Sequence, residues 1–284
     1  MSKWPIGAFT SIDAGFGVHL DVVRGLNIPT IQLHAPHQAS RTKQLATDFK
    51  DKLDQFGLEL TAVFGGFDGE SYETIEIVQQ RCGLVPAETR QSRLQEMKEI
   101  SEFAKWLDCS VIALHLGFVP HDDNSDDYQQ IVHVTRDLCD YARGNGQNLH
   151  LETGQETADA LLKFISDTGA SNLFVNFDPA NMILYGTGQP IDALKKLGSY
   201  VRSVHCKDAT WAANPGEEWG AEVPLGQGEV NIREYLSTLA EIGYDGPLTI
   251  EREIPQDPER QKQEIGHASQ LLEELIPQFV GTSE

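Results

Sequence analysis

Short apolar runs of strand length alternate with longer stretches of helical spacing along the whole chain. Eight runs rich in β-branched and aromatic residues follow one another: IGAFTS, TIQLHA, LELTAVFGG, SVIALHLG, NLHLETG, NLFVNFD, VRSVHCKD and PLTIERE. Between them, apolar residues recur every three or four positions, as in the stripe of Leu94, Met97, Ile100, Ala104 and Leu107. This alternation predicts an α/β protein whose parallel strands close into a (β/α)8 TIM barrel. An open doubly wound sheet is the alternative, but no glycine-rich fingerprint follows the first strand.

The lengths of the connections predict which end of the barrel carries the active site. Connections from a helix into a strand are short, such as residues 27–29 and the single Gly57, whereas residues 65–86 and 209–229 form long excursions after strands. Long loops after strands are typical of the active-site face of a barrel. No linker or low-complexity tract interrupts the pattern, so we expect one domain over residues 1–284. Its last helix is predicted to begin with Asp257 as the N-cap.

The acidic composition narrows the classes of partner. The 284 residues carry a formal net charge of −21, whereas nucleic acids and anionic membranes bind proteins through a basic face. No apolar run reaches the roughly 18 residues of a membrane span, and the first residues lack a signal-peptide pattern. Four widely spaced cysteines do not resemble a disulfide framework, so we expect buried thiols and a cytoplasmic protein. The pattern favours a small-molecule substrate and leaves homo-oligomerisation open.

Four consecutive strands from the fifth onward are predicted to end in a carboxylate or an imidazole. These residues are Glu152, Asp178, His205 and Glu251. Because side chains alternate along a strand, the apolar neighbours of these four face the helices and the four point into the barrel. Carboxylates clustered on one inner ring repel each other unless a cation holds them. The sequence therefore predicts a site for one divalent metal ion, and its oxygen-rich ligands suit Mn²⁺, Mg²⁺ or Co²⁺, with Zn²⁺ also allowed.

Other polar and aromatic residues at the same end of the barrel are candidate substrate contacts. His34 and His115 are predicted to project inward from the second and fourth strands. Lys207 is expected either to bind a substrate oxygen or to pair with the adjacent Asp208. Trp211 and Trp219, in the long excursion after the seventh strand, are candidates for stacking on a ring of the substrate, with packing inside the loop or a subunit contact as the alternatives.

The chain resembles the xylose isomerase-like barrel superfamily, which includes ketose 3-epimerases and inosose dehydratases. The resemblance is carried by Glu152, Asp178, His205 within HCKD, the LGQGEV turn and Glu251 within GYDGPLTIERE. It implies that these four residues bind one divalent ion, usually Mn²⁺, and that Glu152 and Glu251 also act as an acid/base pair. The implied reaction is isomerisation or epimerisation of a keto-sugar or related polyol, through an enediolate that the metal holds.

The chain departs from the ketose 3-epimerase pattern at three places. Asn181, a candidate substrate contact, stands where those enzymes have a histidine, His34 where they have an acidic residue, and Lys207 follows His205 where an arginine is expected. These differences keep a lyase or dehydratase open, in which His34, His115 or Lys207 assists β-elimination from a keto-inositol or 3-keto-glycoside. Two further alternatives are disfavoured: a metal-dependent abasic-site endonuclease by the acidic charge, and a non-catalytic sugar-binding barrel by the two glutamates.

Overall fold

The computed structural model describes residues 4–280 and contains a closed barrel of eight parallel strands. The barrel strands are β1 (Ile6–Ser11), β2 (Thr30–His34), β3 (Glu59–Gly65), β4 (Val111–Leu114), β5 (Asn148–Glu152), β6 (Leu173–Phe177), β7 (Val201–Cys206) and β10 (Leu248–Ile250). Each strand pairs with the next along the chain, and β10 closes the ring against β1. The (β/α)8 prediction is confirmed, and the closed ring excludes the open doubly wound sheet.

Helices surround the barrel, and several more lie in its connections. The α-helices are α1 (Leu20–Gly25), α2 (Lys43–Phe56), α3 (Ile75–Arg81), α4 (Arg90–Trp106), α5 (Asp126–Gly144), α6 (Ala158–Thr168), α7 (Pro179–Tyr185), α8 (Pro190–Leu197), α9 (Ile232–Glu241) and α10 (Pro258–Leu275). Two short 3₁₀ turns, Gln38–Ser40 and Ile276–Gln278, complete the list. Asp257 caps α10 as predicted, since its side chain accepts hydrogen bonds from the backbone N–H groups of Glu259 and Arg260.

The two long excursions contain more structure than their sequences indicate. Residues 65–86 include α3, and the segment after β7 contains an antiparallel ribbon of β8 (Asp208–Thr210) and β9 (Ala221–Val223). Each ribbon strand has only three residues, too few for an alternation of apolar and polar residues to be recognised. The ribbon matters because it lies over the end of the barrel where the predicted ligands are found.

The barrel interior is divided into an apolar part and a polar part. A small cluster of Phe9, Ala62, Phe64 and Ala113 fills the side formed by β1, β3 and β4. The later strands contribute buried polar side chains instead: His150, Asn176, Ser203 and Thr249. Between barrel and helices lies the main core, to which Leu149, Leu151, Phe177, Val204 and Ile250 belong. The predicted inward and outward faces of the strands are therefore confirmed.

The cysteines agree with a further expectation from the sequence. Cys82, Cys109, Cys139 and Cys206 are all buried and unpaired, as expected for structural thiols. Within residues 4–280, no helix combines the length and the apolar composition needed to cross a bilayer.

Candidate metal centre

The four predicted ligands converge at the carboxyl end of the barrel. Glu152 is the last residue of β5 and His205 lies near the end of β7, whereas Asp178 and Glu251 directly follow β6 and β10. One ligand atom of each residue lies within 4.8 Å of the others. Neighbouring strands therefore bring together side chains up to 99 residues apart, because the ends of parallel strands meet on one rim.

His205 stands at the centre of the group. Its Nδ1 atom lies 2.8 Å from Glu152 Oε1, 2.9 Å from Glu251 Oε2 and 3.4 Å from Asp178 Oδ2. The side chains of His205 and Asp178 are fully buried, and Glu152 and Glu251 are 3% and 14% exposed. Three carboxylate oxygens and one imidazole nitrogen thus face one small volume from four strands.

Three buried atoms of this group lack a well-formed hydrogen bond and fit a cation. Among the described residues, Asp178 Oδ2, His205 Nδ1 and Glu251 Oε2 make ion-pair contacts but no hydrogen bond of good geometry. The other oxygen of Asp178 is already used, because Oδ1 accepts from the backbone N–H groups of Ala180 and Asn181 at the start of α7. Unpaired buried acceptors are rare in folded proteins. Three oxygens and one imidazole nitrogen are suitable ligands for a hard or intermediate divalent ion.

The pKa shifts of these residues show that a positive charge stabilises the group. Burial alone would lower the pKa of His205, but the carboxylates of Glu251 and Glu152 outweigh it and raise that pKa well above its ordinary value. Burial raises the pKa of Asp178. Burial also acts to raise the pKa of Glu251, but Lys207 and His205 outweigh it and hold that pKa well below its usual range. A divalent ion bound by these residues would supply the positive charge that a proton on His205 otherwise provides.

Lys207 belongs to a buried ion cluster beside the centre. Its Nζ atom lies 3.4 Å from Glu251 Oε2, 3.5 Å from Glu253 Oε1 and 3.7 Å from Glu222 Oε2. Burial would lower the pKa of Lys207, but Glu251 and Glu222 outweigh it and hold the pKa well above its ordinary value. Arg252 also donates to Glu222, at 2.6 Å from Nη1 to Oε1. Glu222, on β9, therefore ties the ribbon to the end of β10.

The predicted pairing of Lys207 with Asp208 is wrong. Asp208 points instead into the LGQGEV turn, where Oδ2 accepts from the backbone N–H groups of Gly226 and Gly228, both at 2.9 Å. Its Oδ1 atom accepts from Val230 N at 3.1 Å and from its neighbour Ala209 N at 3.0 Å. Consecutive side chains alternate along β7 and its extension, so Lys207 and Asp208 leave the strand in opposite directions.

Two of the predicted substrate contacts lie against Glu152. His115 Nε2 is 3.0 Å from Glu152 Oε2. Asn181 Nδ2 donates to Glu152 Oε1 at a longer distance of 3.4 Å. Glu152 Oε1 thus contacts Asn181 as well as His205, and Glu152 Oε2 contacts His115.

His34 lies in the same mouth on β2. Its Nδ1 atom donates to the carbonyl of Ala35 at 2.9 Å, and burial lowers the pKa of the ring to about 4. Gly66 makes room for this ring, since a Cβ atom there would stand 2.4 Å from His34 Nε2. His34 is therefore a neutral imidazole near pH 7.

Trp211 lies at the start of the long excursion after β7. It directly follows β8, is half-buried and packs against the main core. Its backbone N–H donates to Glu229 at 2.8 Å. Its role as a substrate contact stays a prediction.

Several residues at this end of the barrel were not singled out from the sequence. Gln155 Nε2 lies 3.2 Å from both His115 Nδ1 and the hydroxyl of Tyr185, whose ring lies 4.6 Å from that of Trp219. Gln32 Oε1 lies 2.7 Å from His205 Nε2. The position of Gln32, two residues before His34 on the inner face of β2, was the only available signal.

Glu156 fastens the loop after β5 to the loop after β4. Its Oε1 atom accepts a hydrogen bond of 2.7 Å from Val119 N. Burial raises the pKa of this carboxyl from 4.5 to about 7. Between pH 4.5 and 7, Glu156 is therefore protonated in the folded protein but ionised in the unfolded chain. Because of this difference, Glu156 lowers the stability of the folded state as pH rises through this range.

Replacing Glu156 by glutamine is expected to raise stability above pH 7, by about 3 kcal/mol at pH 8. The amide keeps an acceptor for Val119 N but has no charge to bury. Melting temperatures of wild type and Glu156→Gln between pH 5 and 8 measure the effect, with the exposed Glu88→Gln as the control. The two proteins should converge towards pH 5, and a difference that does not change with pH contradicts this account.

Comparisons with known proteins agree with the fold. The family model described as xylose isomerase-like TIM barrel matches residues 20–275. A xylose isomerase domain protein from Planctomyces limnophilus is 57% identical, and its crystal structure matches with a TM-score of 0.95 over 97% of this chain and 98% of that chain. The structure of an L-ribulose 3-epimerase shares the fold at 16% identity, with a TM-score of 0.72 over 97% of this chain and 95% of that one.

Curated relatives match over shorter stretches. An inosose dehydratase of Clostridium botulinum is 27% identical over 153 residues, which is 49% of this chain and 50% of that protein. The chain spans 66% and 50% of the length of the first two curated relatives that it matches. The family match, by contrast, runs from the start of α1 to the end of α10. The chain therefore belongs to the xylose isomerase-like TIM barrel family.

Proposed function

We propose that this protein is a divalent-metal-dependent isomerase or epimerase that moves a proton next to the carbonyl of a keto-sugar or related polyol. The observation that carries the proposal is the pair of glutamates at the centre. Glu152 and Glu251 extend from β5 and β10, with β6 and β7 between them, and both reach His205 Nδ1 within 2.9 Å. Glu152, Asp178, His205 and Glu251 would hold one ion, with Mn²⁺ as the first choice.

The ion, when bound, supplies a Lewis acid that polarises the carbonyl and the neighbouring hydroxyl of the sugar. Glu152 and Glu251 supply the proton transfers. One carboxylate removes the proton from carbon, and the other returns a proton to the opposite face in the epimerisation. Each group acts as a base in one direction and as an acid in the other, so its surroundings must allow both states. His115 beside Glu152 and Lys207 beside Glu251 provide different surroundings for the two groups.

His34, His115, Asn181, Lys207 and Trp211 are proposed to bind the substrate. The neutral ring of His34 donates from Nδ1 to Ala35, which leaves Nε2 as an acceptor for a sugar hydroxyl. His115 and Asn181 contact Glu152 and would orient the substrate on that side.

The charges near the centre favour an uncharged sugar. Lys207 contacts Glu251 of the centre, Arg252 contacts Glu222 beside it, and both basic side chains are paired with carboxylates. A phosphate group would have to compete with Glu222, Glu251 and Glu264 for these cations. We therefore favour a free keto-sugar over a phosphorylated one.

A lyase or dehydratase is the second candidate, and one contact favours it. His115 Nε2 lies 3.0 Å from Glu152 Oε2, so an imidazole stands beside a proposed proton acceptor. In a β-elimination, such a ring can protonate the departing hydroxyl or alkoxide after a glutamate has removed the proton from carbon. The inosose dehydratase relatives agree with this chemistry, which would act on a keto-inositol or a 3-keto-glycoside.

Proton exchange in D₂O tests the proposed function and separates the two candidates. The Mn²⁺-loaded protein is incubated with free ketoses, keto-inositols and 3-keto-glycosides, and the products are followed by NMR and mass spectrometry. We expect deuterium next to the carbonyl together with an isomer of the substrate, and both should disappear with a chelator. Loss of water or of the aglycone supports the lyase instead, and no exchange with any compound contradicts both.

A further inference from the structure

Gln32 is a buried amide that contacts the outer nitrogen of the central imidazole. It lies on the inner face of β2 and is 1% exposed. Its Oε1 atom is 2.7 Å from His205 Nε2, and its Nε2 atom donates to Asn176 Oδ1 at 3.4 Å. His205 is thus held at both ring nitrogens: Nδ1 faces the three carboxylates and Nε2 faces Gln32.

Two contacts describe the orientation of the Gln32 amide in this structure. If this amide alone were turned over, Gln32 Oε1 would face Asn176 Oδ1, and two acceptors would oppose each other. In the observed orientation, the amide oxygen faces His205 Nε2, which must carry the proton in order to donate. A neutral imidazole has one N–H only, so the lone pair is then on Nδ1 and points at the centre.

The rest of the surroundings of His205 offers no substitute for this contact. The rings of Phe9 and Phe64 pack on the imidazole at centroid distances of 5.7 and 5.3 Å. They restrict its position but donate and accept no ordinary hydrogen bond. Among residues 4–280, Gln32 is the polar partner of His205 Nε2.

We propose that Gln32 is a positioning residue that keeps the proton on His205 Nε2 and so presents Nδ1 as a metal ligand. Asn176 supports it by orienting the amide. The inference rests on the proposed metal site and adds a residue outside the four ligands. Partners of the non-ligating nitrogen of a histidine typically change metal affinity about 10–100-fold when they are removed.

The test compares metal binding by wild type and by Gln32→Met, which keeps the length of the side chain but has no amide. Titration calorimetry with Mn²⁺ is expected to show a Kd about 10–100-fold higher for the variant. In ¹⁵N-histidine NMR of the Zn²⁺-loaded proteins, wild type should show His205 protonated at Nε2 and ligated at Nδ1. Gln32→Met should show this pattern weakened or mixed with the other tautomer.

Two further variants separate this role from general damage to the barrel. Gln32→Glu keeps an acceptor for His205 Nε2, so it should bind Mn²⁺ more tightly than Gln32→Met. Gln147→Met removes another buried amide, which bonds to Ser101 and Cys109 far from the centre, and should leave the Kd within about twofold of wild type.

Three results would overturn the inference. They are an unchanged Kd and spectrum in Gln32→Met, an equal loss of affinity in Gln147→Met, or weaker binding by Gln32→Glu than by Gln32→Met. Because these measurements need no sugar, a protein that binds Mn²⁺ but fails every exchange assay leaves the role of Gln32 standing. That outcome would contradict the proposed function alone.

Discussion

Glutamine in place of Glu251 is expected to lower turnover at least about 1,000-fold, and glutamine in place of Glu152 is expected to do the same. An amide cannot take up the proton from carbon, and it is a weaker ligand than a carboxylate for a divalent ion. Loss of the negative charge at position 251 also leaves Lys207 without one of its partners. The measurement is the initial rate of deuterium incorporation at saturating Mn²⁺, together with the Mn²⁺ affinity of each variant.

A matched glutamate elsewhere on the same face provides the control for these variants. Glu218 is exposed in the excursion between β8 and β9, and Glu218→Gln should keep turnover within about twofold of wild type. If Glu152→Gln and Glu251→Gln both remain active, the two-carboxylate mechanism is wrong. If only one of them remains active, a single base suffices, and the reaction does not require protonation from the opposite face.

The second large effect is expected at Asp208, which supports the LGQGEV turn. Asp208→Asn should destabilise the protein by about 3–5 kcal/mol, because the new NH₂ group faces the backbone N–H groups of Gly226 and Gly228. A buried carboxylate that accepts four N–H bonds would be replaced by a neutral group with one acceptor atom. The melting temperature should fall by roughly 10 °C, measured by circular dichroism.

Asp257 provides the control for this prediction. Its carboxylate also accepts two backbone N–H bonds, but it is exposed at the start of α10. Asp257→Asn keeps a good N-cap residue and should change stability by less than about 0.5 kcal/mol. Equal and small effects of the two substitutions would mean that Asp208 is not a principal support of the turn.

The strands and the convergence of the four proposed ligands were predictable because both depend on short-range patterns. Short runs rich in apolar residues identify the strands, and a polar residue at the end of such a run identifies the rim. The alternation along each strand then determines the inner face. Glu152, Asp178, His205 and Glu251 follow these rules, and the structure brings all four together.

The partners of the ligands were not predictable in this way, because they lie far along the chain. Lys207 pairs with Glu222, fifteen residues later on a three-residue strand, rather than with its neighbour Asp208. Gln32 and His205 are separated by 173 residues. A neutral amide on an inner face is as consistent with ordinary packing as with support of a ligand, so only the distance to His205 Nε2 distinguishes the two.

Asp178 performs two tasks with one carboxyl group, and this limits how the centre can be redesigned. One oxygen begins α7 by accepting from Ala180 and Asn181, and the other faces the proposed ion. Replacing Asp178 to change the preferred metal would also remove the cap of the helix that carries Asn181 to Glu152. Retuning the metal preference at Glu152, His205 or Glu251 therefore leaves the start of α7 intact, whereas a change at Asp178 also changes the helix that it starts.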